Sequence, residues 1–76
     1  MVFKISAKKA TDAQELNRAA EQCPYDVWLQ GVSGTADAKS LLGMMLLTLE
    51  DGVKLVVDDS VDKKDVLKRF KKFIVE

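Results

Sequence analysis

Chains that move phosphoryl, acyl or proton groups show it in histidines, cysteines and clustered carboxylates, and this one is poor in all of them. It has no histidine and one cysteine, Cys23. A lone cysteine rules out an internal disulfide, and without histidine it forms neither a zinc-ligand cluster nor a Cys/His nucleophile pair. Cys23 therefore reads as a small buried apolar side chain. Asp12 could in principle take up a phosphoryl group as an acyl phosphate. Its place at the start of a helix is already explained by the attraction between negative charge and a helix N-terminus. Ser40, an N-cap residue type ahead of an apolar run, is the other hydroxyl or carboxylate that stands out. No catalytic residue, metal ligand or cofactor motif emerges, and an enzyme is not expected.

Size and charge narrow the functions further. At 76 residues the chain supports a single domain, residues 1–76, with one core. A domain this short buries only about 60% of the surface its unfolded form exposes, which disfavours a deep cleft. Twelve basic and twelve acidic residues cancel, so there is no field to draw the protein onto nucleic acid or anionic lipid. Residues 1–5 include Lys4 and build no continuous apolar stretch of the kind a signal peptide or membrane span needs. A cytoplasmic protein that recognises other proteins locally is expected.

The elements that must position these residues follow from periodicity. Residues 2–7 alternate, with Phe3, Ile5 and Ala7 on one side, as a half-buried strand does. Thr11 and Gln14 have the spacing of a capping box and predict a first helix from there, carrying Leu16, Ala20 and Cys23 and ended by Pro24. Tyr25, Val27 and Leu29 alternate with Asp26, Trp28 and Gln30, and residues 31–34 supply a turn to a short strand at Thr35 and Ala36. Residues 39–49 are too continuously apolar for an alternating strand and predict a second helix, with Ser40 as N-cap and Asp51-Gly52 as exit. Val53, Leu55 and Val57 mark a fourth strand. A third, amphipathic helix opens near Asp59 or Ser60 and presents Val66, Leu67, Phe70, Phe73 and Ile74 on one face. Its lysines read as a solvated face, partly neutralised by Asp59, Asp62, Asp65 and Glu76. The order β-α-β-β-α-β-α predicts an α/β (α+β) fold: a four-stranded, mainly antiparallel sheet covered on one face by three helices. The other face would show Lys4, Asp26, Trp28, Lys54 and Val56.

The segment Ala38-Lys39-Ser40-Leu41-Leu42-Gly43-Met44-Met45, followed by Asp51-Gly52 and an alternating strand, resembles the second half of the histidine-containing phosphocarrier protein (HPr) family of the bacterial phosphotransferase system. In that family Ala-Lys-Ser-(Ile/Leu)-(Met/Leu)-Gly opens the second helix. The likeness extends more loosely over nearly the whole chain and implies an HPr-like open-faced β-sandwich. It also implies a carrier that takes a phosphoryl group on histidine, and here the chain departs from the pattern. The family's Gly-Leu-His-(Ala/Thr)-Arg-Pro-Ala run should lie where this chain has Lys8-Lys9-Ala10-Thr11-Asp12-Ala13. Counting back from Ser40 puts Lys9 at the histidine position and Thr11 at the arginine position. Neither replaces an imidazole nitrogen that is nucleophilic near neutral pH, so phosphocarrier activity is not expected.

The resemblance leaves a serine. The residue at the position of Ser40 is phosphorylated in the family by an HPr-type serine kinase, and the product helps a transcription regulator repress carbon-catabolic genes. A phosphate there meets free helix amides and the positive end of the helix dipole, with Lys39 close by in sequence. The resemblance also assigns the family's exposed docking patch to Leu41, Leu42 and Met45. The domain is too small to enclose a helix apolar nearly all round, which agrees with that assignment. Two functions follow as expectations. One is a regulatory adaptor, a phosphoprotein modified at Ser40 that docks protein partners through Leu41, Leu42, Met45 and Lys39. The other is an interaction module that associates constitutively, as a homodimer or with another protein, through the second helix or the Trp28 sheet face.

Overall fold

Alternation along the strands builds the two faces of the sheet. Phe3, Val27, Leu29, Leu55 and Val57 are buried, while Val2, Trp28, Lys54 and Asp58 between and beyond them are exposed. The computed structural model describes residues 1–7, 9–48 and 50–75. Its elements are β1 (Val2–Lys4), α1 (Ala10–Glu21), β2 (Trp28–Gly31), β3 (Gly34–Asp37), α2 (Leu41–Thr48), β4 (Lys54–Val56) and α3 (Lys63–Arg69). The strands lie in the order β1-β4-β2-β3, and every pairing is antiparallel. The expected order of elements and sheet type are both present. One buried cluster joins the inward strand residues to Leu16 of α1, Met44 of α2, Val66 of α3 and Phe70 just past it, which puts the three helices on the same face of the sheet.

Several boundaries differ from expectation, each for a local reason. Helix α1 starts at Ala10 with Lys9 as its N-cap, so Thr11 lies inside the helix rather than capping it. The Asp12 carboxylate reaches back to accept the Lys9 amide at 3.2 Å, and this ionised acceptor makes a stronger box at Lys9 than the neutral Gln14 amide group would make at Thr11. Strand β1 stops at Lys4 because the chain beyond it pairs with the C-terminal segment. Ile5 bridges Ile74, and the Ser6 amide donates to the Phe73 carbonyl at 2.8 Å.

Helix α3 opens at Lys63, not at Asp59 or Ser60. The Ser60 amide and hydroxyl both donate to the Asp58 carboxylate, closing a turn at the very residues expected to start the helix, a known competitor of helix. Asp62 then caps the helix by accepting the Lys64 amide at 3.0 Å. The helix ends at Arg69, so Phe73 and Ile74 contribute from the turn that follows. After α2, Gly52 takes φ +74°, a conformation glycine adopts without penalty, and forms the expected exit. Lys8, Leu49 and Glu76, which figured in the segment set against the family's histidine run, the end of the second helix and the charge balance of the third, lie outside the described residues.

Candidate functional site

The residues ahead of α2 are held from three directions. The Ala38 amide donates to the Val27 carbonyl beside β2 at 2.9 Å. The buried Asn17 side chain of α1 donates to the Ala38 carbonyl at 2.9 Å, and the Asp37 carboxylate accepts the Lys39 amide at 2.9 Å. The Ser40 amide then donates to the Asp37 carbonyl, and the Ser40 carbonyl accepts the Met44 amide, opening the helix. Ser40 is thus fixed in backbone and open in side chain. Its residue is exposed, and its hydroxyl makes no side-chain hydrogen bond among the described residues. Ser40 Oγ lies over the first turn, 3.6 Å from where a Cβ on Gly43 would sit. A phosphoryl group on that oxygen would therefore lie near the free amides of the helix mouth.

Helix α2 divides as its periodicity requires. Met44 and Leu47 are buried against the sheet. Leu42 is 83% exposed, Leu46 75% and Met45 38%, and these three share a face at spacings of three and four. Leu41 is half-buried and packs against the core, so it forms the base of the patch rather than its summit. Leu46 was not among the expected docking residues. The signal that could have found it is its place one turn after Leu42, on the face opposite Met44.

Lys39 does not turn toward the serine. Its ammonium donates to the Cys23 carbonyl at 3.1 Å, at the C-terminal end of α1. The same end receives the Arg69 guanidinium on the Gln22 carbonyl. Arg69 also donates to Asp65 at 2.8 Å, and Asp65 accepts the Tyr25 hydroxyl at 2.8 Å. Hydrogen bonding from Arg69, and then from Tyr25, holds the Asp65 carboxyl below the usual carboxylate range. Burial, and then the same bond to Asp65, pushes the Tyr25 hydroxyl up. Cys23 is buried, and its thiol donates to the Ala19 carbonyl at 3.3 Å, in keeping with a structural role.

The other expected chemical positions lie at the start of α1. Lys9 and Thr11 are exposed there, and Asp12 is committed to the Lys9 amide. Lys72 from beyond α3 pairs with Glu15 one turn further on, which raises the Lys72 ammonium above its ordinary value. Among the described residues no group of histidine, cysteine, aspartate and glutamate is arranged to hold a metal ion.

A family model described as the PTS HPr component phosphorylation site matches residues 7–76. The chain belongs to the HPr family. Among solved structures, HPr-C-His from Thermoanaerobacter tengcongensis superposes with a TM-score of 0.69 at 23% sequence identity, covering 95% of this chain and 85% of that one. At that identity the likeness speaks for the fold alone. No curated protein sequence matches. The protein is accordingly a phosphocarrier-related member of the HPr family whose sequence has no histidine. At the position reached by counting back from Ser40, the structure has Lys9, the N-cap of α1. That is the junction of loop and helix where the family's histidine run belongs. Among the described residues no helix is long and apolar enough to cross a membrane.

Proposed function

We propose that this protein is a histidine-free regulatory member of the HPr family, acting in the cytoplasm of a bacterium through phosphorylation at Ser40 and docking of protein partners on α2. The observation that carries the reading is the juxtaposition of an exposed serine at the mouth of α2 with the exposed Leu42, Met45 and Leu46 of the same helix. Phosphorylation there adds two negative charges beside an apolar patch, turning a hydrophobic docking surface into one that also selects for a basic group on the partner. Leu41 supports the patch from beneath. Lys39 contributes through the backbone turn it shares with Asp37. The partners would be an HPr-type serine kinase and a transcription regulator of carbon-catabolic genes. Loss of the histidine removes the carrier role and leaves no catalytic chemistry to assign.

The same apolar face would serve a module that docks constitutively, since the exposure of Leu42 and Leu46 does not depend on modification of Ser40. Intact-mass analysis after incubation with ATP and a bacterial HPr kinase separates the two. One phosphate, located on Ser40 by fragmentation and absent in Ser40→Ala, is the expected result. No phosphate under conditions that modify a control HPr would overturn the regulatory reading in favour of the constitutive one.

A further inference from the structure

The two flanks of α3 differ in charge and in what they face. Val66 and, just past the helix, Phe70 are buried beneath it. At about 100° per residue, Asp65 and Arg69 fall on one side of that buried line, and Lys63, Lys64, Leu67 and Lys68 on the other. The Asp65 side closes against the end of α1, where Asp65 accepts the Tyr25 hydroxyl and Arg69 donates to the Gln22 carbonyl. The lysine side borders β1. There Lys63 and Leu67 join Met1, Val2, Phe3 and Ile74 around an open groove of about 570 Å³. Leu67 is 38% exposed and Val2 55%, so Leu67 leaves the apolar face expected of α3 and lines this groove instead. The acids expected to neutralise the lysines are engaged elsewhere. The Asp59 carboxylate accepts the Met1 ammonium at 2.6 Å, and the Asp65 carboxylate accepts the Arg69 guanidinium at 2.8 Å. Asp62, which caps the helix, is the carboxylate that remains among the described residues of this stretch. Beside it Lys63, Lys64, Lys68 and Lys71 are all exposed and form no ion pair among the described residues.

We propose that this groove docks an acidic segment of a partner protein, which seats one large apolar side chain between Val2 and Leu67 and sets carboxylates against the lysines. Charge complementarity selects the sign of the occupant. The chain as a whole is neutral, so the excess of positive charge is local to this edge, where it attracts and orients an acidic segment. Shape selects the class. The apolar side chains line a depression between a strand and a helix, which a protruding side chain fills, whereas a bilayer is met by apolar groups that project from a surface. Phe3, the one aromatic ring in the lining, is buried, so no nucleic-acid base can stack there. Helix α2 packs against β2 and β3, and β3 is the sheet edge opposite β1. A segment in the groove therefore leaves Leu42, Met45 and Leu46 open, and the protein has two docking faces that can be filled together. The inference stands independently of whether Ser40 is modified.

Selection of a random peptide library displayed on phage against the full chain, followed by fluorescence anisotropy of synthetic copies of the enriched peptides, tests it. Enriched sequences should combine Asp or Glu with a large apolar residue and bind with dissociation constants on the order of 10–100 µM, in keeping with a small footprint. The double variant Lys63→Glu, Lys64→Glu should weaken binding at least about tenfold, and raising the salt from about 0.05 to 0.5 M should weaken it several-fold. Leu67→Ser, at a partly exposed side chain, should weaken it about fivefold. A far-UV circular dichroism melt of each variant verifies folding. In proton–nitrogen correlation spectra of the parent chain the peptides should shift the amides of Val2, Lys63, Leu67 and Ile74 and leave those of Leu42 and Leu46 in place. Failure to enrich acidic sequences overturns the proposal. So do peptides that bind the double variant as well as the parent, or that shift Leu42 and Leu46 instead, which would place the contact on α2. Phosphatidylglycerol vesicles that bind through the same lysines when no peptide does would overturn it in favour of a lipid surface.

Discussion

The Lys39 ammonium and the Cys23 carbonyl meet at 3.1 Å, 16 residues apart in sequence. A cation at the C-terminal end of a helix interacts favourably with the helix dipole and with carbonyls that have no partner within the helix. The basic residue next to Ser40 therefore serves first to seat α2 against α1. Lys39→Met should destabilise the fold by about 0.5–1 kcal/mol, lowering the melting temperature by about 4 °C, and should change the rate of Ser40 phosphorylation less than twofold. A large loss of phosphorylation at unchanged melting temperature would instead give Lys39 a direct part in recognition.

The Ser40 hydroxyl occupies an N-cap position and makes no side-chain cap bond among the described residues. Replacing a capping serine by alanine usually costs about 1 kcal/mol. Here Ser40→Ala should cost less than about 0.5 kcal/mol in urea unfolding, because no such bond is lost. Leu42→Glu and Leu46→Glu should be equally mild, since both side chains are exposed. Met44→Glu, on the buried face of the same helix, should abolish folding. These contrasts separate the docking face from the packing face without reference to any partner.

Asp65 sets a pH dependence whose sign can be worked out. Its folded carboxyl lies below its ordinary value because Arg69 and then Tyr25 bond to the ionised form. The corresponding stabilisation is complete above the unfolded pKa, about 3.9, and is lost as the pH falls through the folded value. Tyr25 acts at the other end of the scale. Its hydroxyl is raised by burial and by the bond to Asp65, so its contribution is complete below its ordinary value of about 10 and declines as the pH rises beyond that toward the folded value. Melting temperature measured from pH 2 to 11.5 should show both limbs. Tyr25→Phe should flatten the alkaline limb and reduce the acid one, and Asp65→Asn should reduce the acid limb further, leaving the part that Asp58 contributes through its bonds from Ser60.

The fold was legible wherever a side chain's environment is set by its immediate neighbours in sequence. Val27 and Leu29, or Leu55 and Val57, alternate with exposed or half-buried partners, and that pattern alone places them on the inner face of the sheet. Boundaries were less legible where two local hydrogen-bonding schemes compete. Asp58 and Ser60 close their own turn and hand the cap of α3 to Asp62; Asp12 reaches back to Lys9 and moves the start of α1 ahead of Thr11. Long-range placement was not legible at all. The sequence neighbourhood of Lys39 points to Ser40, yet the carbonyl at the end of α1 takes its ammonium. Likewise the choice between Leu41 and Leu46 as the exposed residue depends on how α2 rolls on the sheet, which Met44 and Leu47 decide together.

Gly31 and Glu50 supply the last test, because they join the β2–β3 turn to the chain leaving α2. The Glu50 carboxylate accepts both the Ser33 amide at 3.3 Å and the Ser33 hydroxyl at 3.0 Å. It lies where a Cβ on Gly31 would have to go, with the Leu47 side chain also close at 3.1 Å from that point. Alanine at position 31 would displace the carboxylate, the movable end of a flexible side chain, and with it both bonds to Ser33. Gly31→Ala should therefore cost about 1 kcal/mol. In a double-mutant cycle, Ser33→Ala should be destabilising in the parent chain but close to neutral beside Gly31→Ala, since the one bond it removes, from the Ser33 hydroxyl, is already broken. Additive effects would mean that Glu50 finds another route to Ser33, and that the turn and the end of α2 are not coupled through this carboxylate.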